Sequence, residues 1–192
     1  GRGDLRGGHL ADGDGLADLA RFHSTTLKWG WQKHLGLPGD RLVSVTDGLQ
    51  NVTSFAYLPM TNSAVYIKGT GATYPVWDFK GSRPLVRTMT VTPAGATSYT
   101  FTYRYQNARV HAQGRAFLGM GARQTTDSRN GVYTLETFSQ TFPYIGAPLS
   151  TTIKQSSAGN TIQAQTHTYQ HHVLDATTSN QRYLPYRSQT VT

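Results

Sequence analysis

Eight consecutive residues, Ser98-Tyr99-Thr100-Phe101-Thr102-Tyr103-Arg104-Tyr105, alternate polar with aromatic side chains without a break. A period of two is the period of a β-strand, so Tyr99, Phe101, Tyr103 and Tyr105 fall on one face and Thr100, Thr102 and Arg104 on the other. The pattern predicts a half-buried strand. Period-two or β-branched runs recur at Leu42 to Thr46, Val52 to Leu58, Leu85 to Thr92, Val132 to Ser139, Ser150 to Gln155 and Thr161 to Tyr169. Between them stand turn formers: Asp47-Gly48, Pro93-Ala94-Gly95, Asn130-Gly131 and Ser156 to Asn160. The expected fold class is therefore all-β, antiparallel hairpins forming part of a β-shell or a sandwich. Helical spacing is confined to one short turn expected in Leu16 to Phe22.

The chain has 192 residues, enough for one domain with a core of its own. No apolar run approaches the roughly 20 residues of a membrane helix, so no transmembrane segment is expected. The absence of Cys removes disulfides, thiolate zinc sites and a cysteine nucleophile, and is compatible with secretion. The formal charge of +8 is uneven: residues 1–50 hold six basic and six acidic side chains, whereas from residue 51 onward twelve Lys or Arg face only Asp78, Asp127, Glu136 and Asp175. The basic residues are scattered singly among Thr, Ser and Gln, unlike a nucleic-acid arm, and no nucleic-acid partner is expected.

Residues 1–39 differ from the rest and read as a Gly/Asp-rich unit, with a boundary near Gly39 and a β-rich unit over 40–192. Trp29-Gly30-Trp31 reads there as loop. Asp12, Asp14 and Asp18 alternate across a Gly-rich turn, the spacing by which calcium loops converge oxygens on a hard cation. Calcium is thus the one candidate cofactor, although Leu10 stands where a first carboxylate is usual; in the other reading the aspartates cap a tight turn. His167, His171 and His172 cluster on one predicted strand but read as surface residues rather than zinc ligands. Arg2-Gly3-Asp4 matches an integrin-type tripeptide and Asn51-Val52-Thr53 a glycosylation sequon. No paired carboxylates, nucleophile elbow or phosphate-cradling loop is present, so an enzyme is not expected. Exposed Trp29, Trp31 and Trp77 on a free-standing adhesin or carbohydrate-binding module form the alternative function.

Asp47-Gly48-Leu49-Gln50-Asn51, Val65-Tyr66-Ile67-Lys68-Gly69 and Tyr105 to Met120, with the element Gln113-Gly114-Arg115-Ala116-Phe117-Leu118-Gly119 at its centre, together resemble the middle region of bacterial toxin-complex B components and related Rhs or YD-repeat proteins. Phe142-Pro143-Tyr144-Ile145-Gly146 and Tyr183-Leu184-Pro185-Tyr186 fit the same pattern, so the resemblance covers roughly residues 40 to 192. Residues 12–18 resemble the Asp-Gly loop of an FG-GAP or VCBS-type propeller repeat. Ala116 stands where family members usually have Gly, and Met120 where they usually have an aromatic. The resemblance implies a propeller followed by a hollow β-shell that encloses a toxic C-terminal segment. It also implies a secreted or cell-surface location, and as partners the remainder of a larger toxin polypeptide and a delivery subunit. On that reading Gln113, Gly114, Arg115, Phe117, Leu118 and Gly119 are structural, and the chain, which starts inside a motif and stops on a strand, is a fragment of wall.

Overall fold

The computed structural model describes residues 7–9, 18–32, 41–175, 177 and 182–192. All its regular elements are strands: β1(Gly7–His9), β2(Asp18–His23), β3(Lys28–Gln32), β4(Ser44–Thr46), β5(Val52–Pro59), β6(Tyr66–Ile67), β7(Val76–Asp78), β8(Pro84–Thr92), β9(Tyr99–Gln106), β10(Arg109–His111), β11(Ala116–Phe117), β12(Ala122–Asp127), β13(Tyr133–Phe138), β14(Pro148–Lys154), β15(Thr161–Asp175) and β16(Arg182–Val191). The all-β expectation holds. The helical turn expected in Leu16 to Phe22 does not: its described part lies in β2, which pairs antiparallel with β3 and sets Phe22 directly opposite Trp29. Their rings meet at 5.2 Å, a cross-strand aromatic contact that favours the hairpin over one isolated helical turn. Trp29-Gly30-Trp31 is accordingly strand, not loop. The boundary near Gly39 lies outside the described residues.

The main sheet has ten strands in the order β16-β15-β14-β13-β12-β9-β8-β5-β4, with β6 alongside β9. It is a meander in chain order, as the turn signals require, interrupted by two excursions. One carries β6 and β7 between β5 and β8, the other β10 and β11 between β9 and β12. The second sheet, in the order β11-β10-β7, is made from these excursions alone. Asp47 shows how the turns are fixed, since its Oδ1 accepts from the Leu49 and Asn51 amides at 2.8 and 2.9 Å.

Alternation in the sequence does not become alternation in burial. Every residue of β9 is half-buried, the Thr face as much as the Tyr face, and β8 and β13 are almost as uniform. A sheet covered on one side would bury one parity and expose the other. Here a broad single layer keeps both faces in partial contact with water, shielded by neighbours across the strands. On one face the register aligns Thr88, Thr90, Thr100, Thr102 and Thr126 with Thr137, Ser150 and Thr152. Hydroxyls pair there across strands, Thr90 with Thr100 at 3.0 Å and Thr137 with Ser150 at 2.7 Å. The opposite face carries the aromatic ladder and the Arg123–Glu136 ion pair at 2.7 Å.

The core sits where the sheet forks. Pairing of β8 with β9 ends at Thr88 and Thr102, yet β5 and β8 stay paired as far as Pro59 and Pro84. Into the gap goes β6, parallel to the end of β9 with Tyr66 beside Tyr105. Arg87 donates to the Tyr103 carbonyl at 2.9 Å, an acceptor on the strand that β8 has left. Met60, Val65, Tyr66 and Ala108 are buried in the wedge, packed by Leu58, Phe79, Leu85, Tyr105, Phe117 and Met120. Tyr66 is 1% exposed. Its hydroxyl donates to the Phe79 carbonyl at 2.6 Å and accepts from the Ala108 amide at 2.9 Å, and burial raises its pKa. Tyr66→Phe keeps the ring but orphans a half-buried carbonyl and a buried amide, so a loss of about 1–3 kcal/mol is expected in urea unfolding. A variant as stable as the parent would refute this role.

Candidate functional site

The Gln-Gly-Arg element is the turn and second strand of the β10–β11 hairpin, which folds against the fork. Val110 lies opposite both Phe117 and Trp77, so β10 is the middle strand of its small sheet. Five of the element's residues make distinct contacts. Gln113 reaches the Tyr74 hydroxyl at 2.9 Å through Nε2, while its amide donates to His111 Nδ1 at 3.1 Å. Arg115 lies over the Phe142 ring, 3.6 Å from its centroid. Phe117 meets Phe79 edge-on at 6.1 Å, and Arg83 covers both rings. Leu118 is buried. Gly119 offers its carbonyl to the Arg109 amide and to Gln140 Nε2, at 3.2 and 2.9 Å.

From Arg115 a row of rings runs outward. Phe142 meets Tyr183 at 5.3 Å, Tyr183 meets His171 at 5.0 Å, and His171 meets Tyr144 at 5.7 Å. The Tyr144 hydroxyl lies 2.6 Å from His171 Nδ1. The Phe142 to Gly146 and Tyr183 to Tyr186 segments, far apart in the chain, thus meet each other and the Gln-Gly-Arg element. His167 lies 3.0 Å from the Thr190 hydroxyl and His172 stacks on Tyr186, so the three imidazoles have separate partners. Among the described residues no three His, Asp or Glu side chains gather as metal ligands.

The excursion of β6 and β7 encloses an open hollow of about 480 Å³ lined by Lys68, Gly69, Thr70, Tyr74, Trp77 and Asp78, among others. Asp78 is its anchor: Oδ2 accepts from the Ala72 amide at 2.8 Å and Oδ1 from Arg109 Nε at 3.2 Å. The Ala72 amide and then Arg109 hold its pKa below the ordinary carboxylate value. A second hollow of about 350 Å³, lined by His111, Arg115, Leu118, Gln140 and Phe142, shares Val76 with the first.

Of the calcium candidates, Asp12 and Asp14 lie outside the described residues, as do Leu10 and Arg2-Gly3-Asp4. Asp18 opens β2, opposite His9 in register. Trp29 and Trp77 are exposed but belong to different sheets. The sequon's Asn51 donates Nδ2, the glycosylation atom, to Asp47 Oδ2 at 2.8 Å. Sequence reasoning missed Tyr74, Lys68 and Asp78, whose only signal is a Gly-rich stretch ahead of a Tyr-Pro step. No known family model matches the chain, and no curated protein matches it.

Gly114 and Gly119 have φ of 91° and 88°, and Ala116 between them has φ 52°. Ala116→Gly should raise stability by about 0.5–1 kcal/mol, whereas Gly119→Val should lower it by about 1–3 kcal/mol; urea midpoints that move the other way would refute the assignment. Asp78 and Asp127 have depressed folded pKa values, so their contributions are complete above the unfolded value of about 3.9 and vanish as pH falls through the folded ones. The melting temperature should drop on acidification from pH 5 toward pH 2, less steeply in Asp78→Asn. Parallel curves for variant and parent would remove Asp78 from the account.

Proposed function

We propose that this chain is a non-catalytic wall segment of a bacterial β-shell of the Rhs or toxin-complex type, which encloses a toxic C-terminal payload and helps deliver it. The observation that carries the reading is a meandering sheet of ten strands whose central strands are half-exposed on both faces. A layer of this kind separates two compartments without a second layer to cover it. Both faces are mixed: hydroxyls share one with Arg104, Tyr133 and Lys154, and the aromatic ladder shares the other with Thr125, Thr134 and Thr151, so neither face is an apolar surface that needs a second layer over it. The resemblance of residues 40 to 192 adds to this, because Gln113, Arg115, Phe117, Leu118 and Gly119 of the Gln-Gly-Arg element all make structural contacts. The partners are then the rest of the toxin polypeptide and its delivery subunit, and the location is secreted or cell-surface.

The test is the size of the native polypeptide, by immunoblot of the producing cell with antibody against residues 40–192. A band far above 21.1 kDa is expected. A single band at that mass, at every growth stage, would overturn the wall reading.

A further inference from the structure

Independently of the wall reading, we infer that the hollow between β6 and β7 is a saccharide-binding site with a preference for acidic sugars. The site is built rather than incidental. The loop from Lys68 to Thr73 has only small side chains after its lysine, which leaves the space open. It is held in place by Asp78, through the Ala72 amide at 2.8 Å. A Cβ on Gly69 would stand 2.7 Å from Asp78 Oδ1, so the loop wraps the carboxylate more closely than any other residue would permit. Asp78 is fixed in turn by Arg109.

Two aromatic rings flank this fixed loop. Tyr74 is 70% exposed and Trp77 58% exposed, and among the described residues no other ring packs on either. Elsewhere in the chain aromatic side chains serve packing, as Phe79, Phe117, Phe142 and Tyr183 do. Gln113 holds the Tyr74 hydroxyl at 2.9 Å, so that ring is positioned in water without being covered. Exposed, positioned rings beside a hollow of about 480 Å³ suit a ligand with one apolar face and a polar rim. A pyranose has both, its C–H groups on the face and its hydroxyls at the edge. Thr70 and the backbone of the glycine-rich loop supply hydrogen-bonding groups for that edge. Arg109 pairs with Asp78 at 3.2 Å, and the Lys68 ammonium, which also acts on Asp78, makes the group of three net positive. A carboxylate on the sugar is the complement of that charge.

Calorimetric titration of the whole chain with hexagalacturonate and with maltohexaose tests this. Hexagalacturonate should bind with Kd on the order of 0.1–1 mM and maltohexaose about tenfold more weakly. Trp77→Ala should abolish both, with the circular dichroism spectrum unchanged because the side chain is largely exposed. Lys68→Gln should bring the two affinities together. Trp29→Phe, on the separate small sheet, should change neither. The inference is overturned if neither sugar binds at millimolar concentration, if Trp77→Ala binds as the parent does, if maltohexaose binds as tightly as hexagalacturonate, or if AMP binds in the hollow while both sugars are inert.

Discussion

A single phenol holds the fork in the sheet together. Where β8 leaves β9, two strand edges turn away from each other, and their backbone groups must be satisfied inside the protein. Tyr66 does this from the wedge strand, donating to the Phe79 carbonyl beyond β7 and accepting from the Ala108 amide before β10. The two excursions of the chain, already paired as β7 and β10, are thus also tied through one buried hydroxyl. Remove the fork and β6 has no place; β6 in turn leads straight into the loop from Lys68 that lines the hollow. Full burial of Tyr66, Met60 and Val65 contributes roughly 1.5–3 kcal/mol for each side chain, in a chain whose sheet faces bury little else completely.

The Gln-Gly-Arg element acts on that junction from outside. Positive φ at Gly114, Ala116 and Gly119 turns the hairpin back on itself, which brings Phe117 and Leu118 onto the wedge and aims Arg115 away from it. The guanidinium over Phe142 then couples the fork to the long β15–β16 hairpin through Tyr183, His171 and Tyr144. That hairpin has much exposed surface of its own and joins the sheet along β14 only over the first part of β15, so the row of rings is a second attachment, near its far end. Segments more than forty residues apart in sequence share one structural task.

The meander was legible because its signals are local. Period-two runs mark β5, β8, β9, β13 and β14, and Asp47-Gly48, Asn130-Gly131 and Ser156 to Asn160 mark turns that the structure contains. The short strands were not legible, since two or three residues such as Tyr66-Ile67 or Ala116-Phe117 carry no period. Nor was the burial, because alternation states which residues share a face and not what covers that face. The hollow escaped for a related reason: Lys68, Tyr74 and Asp78 are brought together by a loop whose shape depends on a hydrogen bond to Ala72, and spacing does not encode that bond. Phe22 and Trp29 misled in the opposite sense, the helical spacing that ends at Phe22 and the loop-like Trp29-Gly30-Trp31 both giving way to a cross-strand contact.

The two edges of the large sheet differ in chemistry, and the difference bears on how such a layer is extended. The β16 edge carries Pro185, which has no amide hydrogen to offer a further strand, and Arg182 and Arg187, whose charges resist close stacking. The β4 edge has none of these devices. Val45 on it, with Leu42, Val43 and Leu49 beside it, is exposed and apolar, a surface that water disfavours and a paired strand would cover. Arg41, just before β4, lies over the Tyr57 ring of β5 at 5.7 Å. Apolar side chains are exposed on both edge strands, Val45 on β4 and Leu184 and Val191 on β16, so it is the proline and the arginines of β16, not hydropathy, that set the two edges apart.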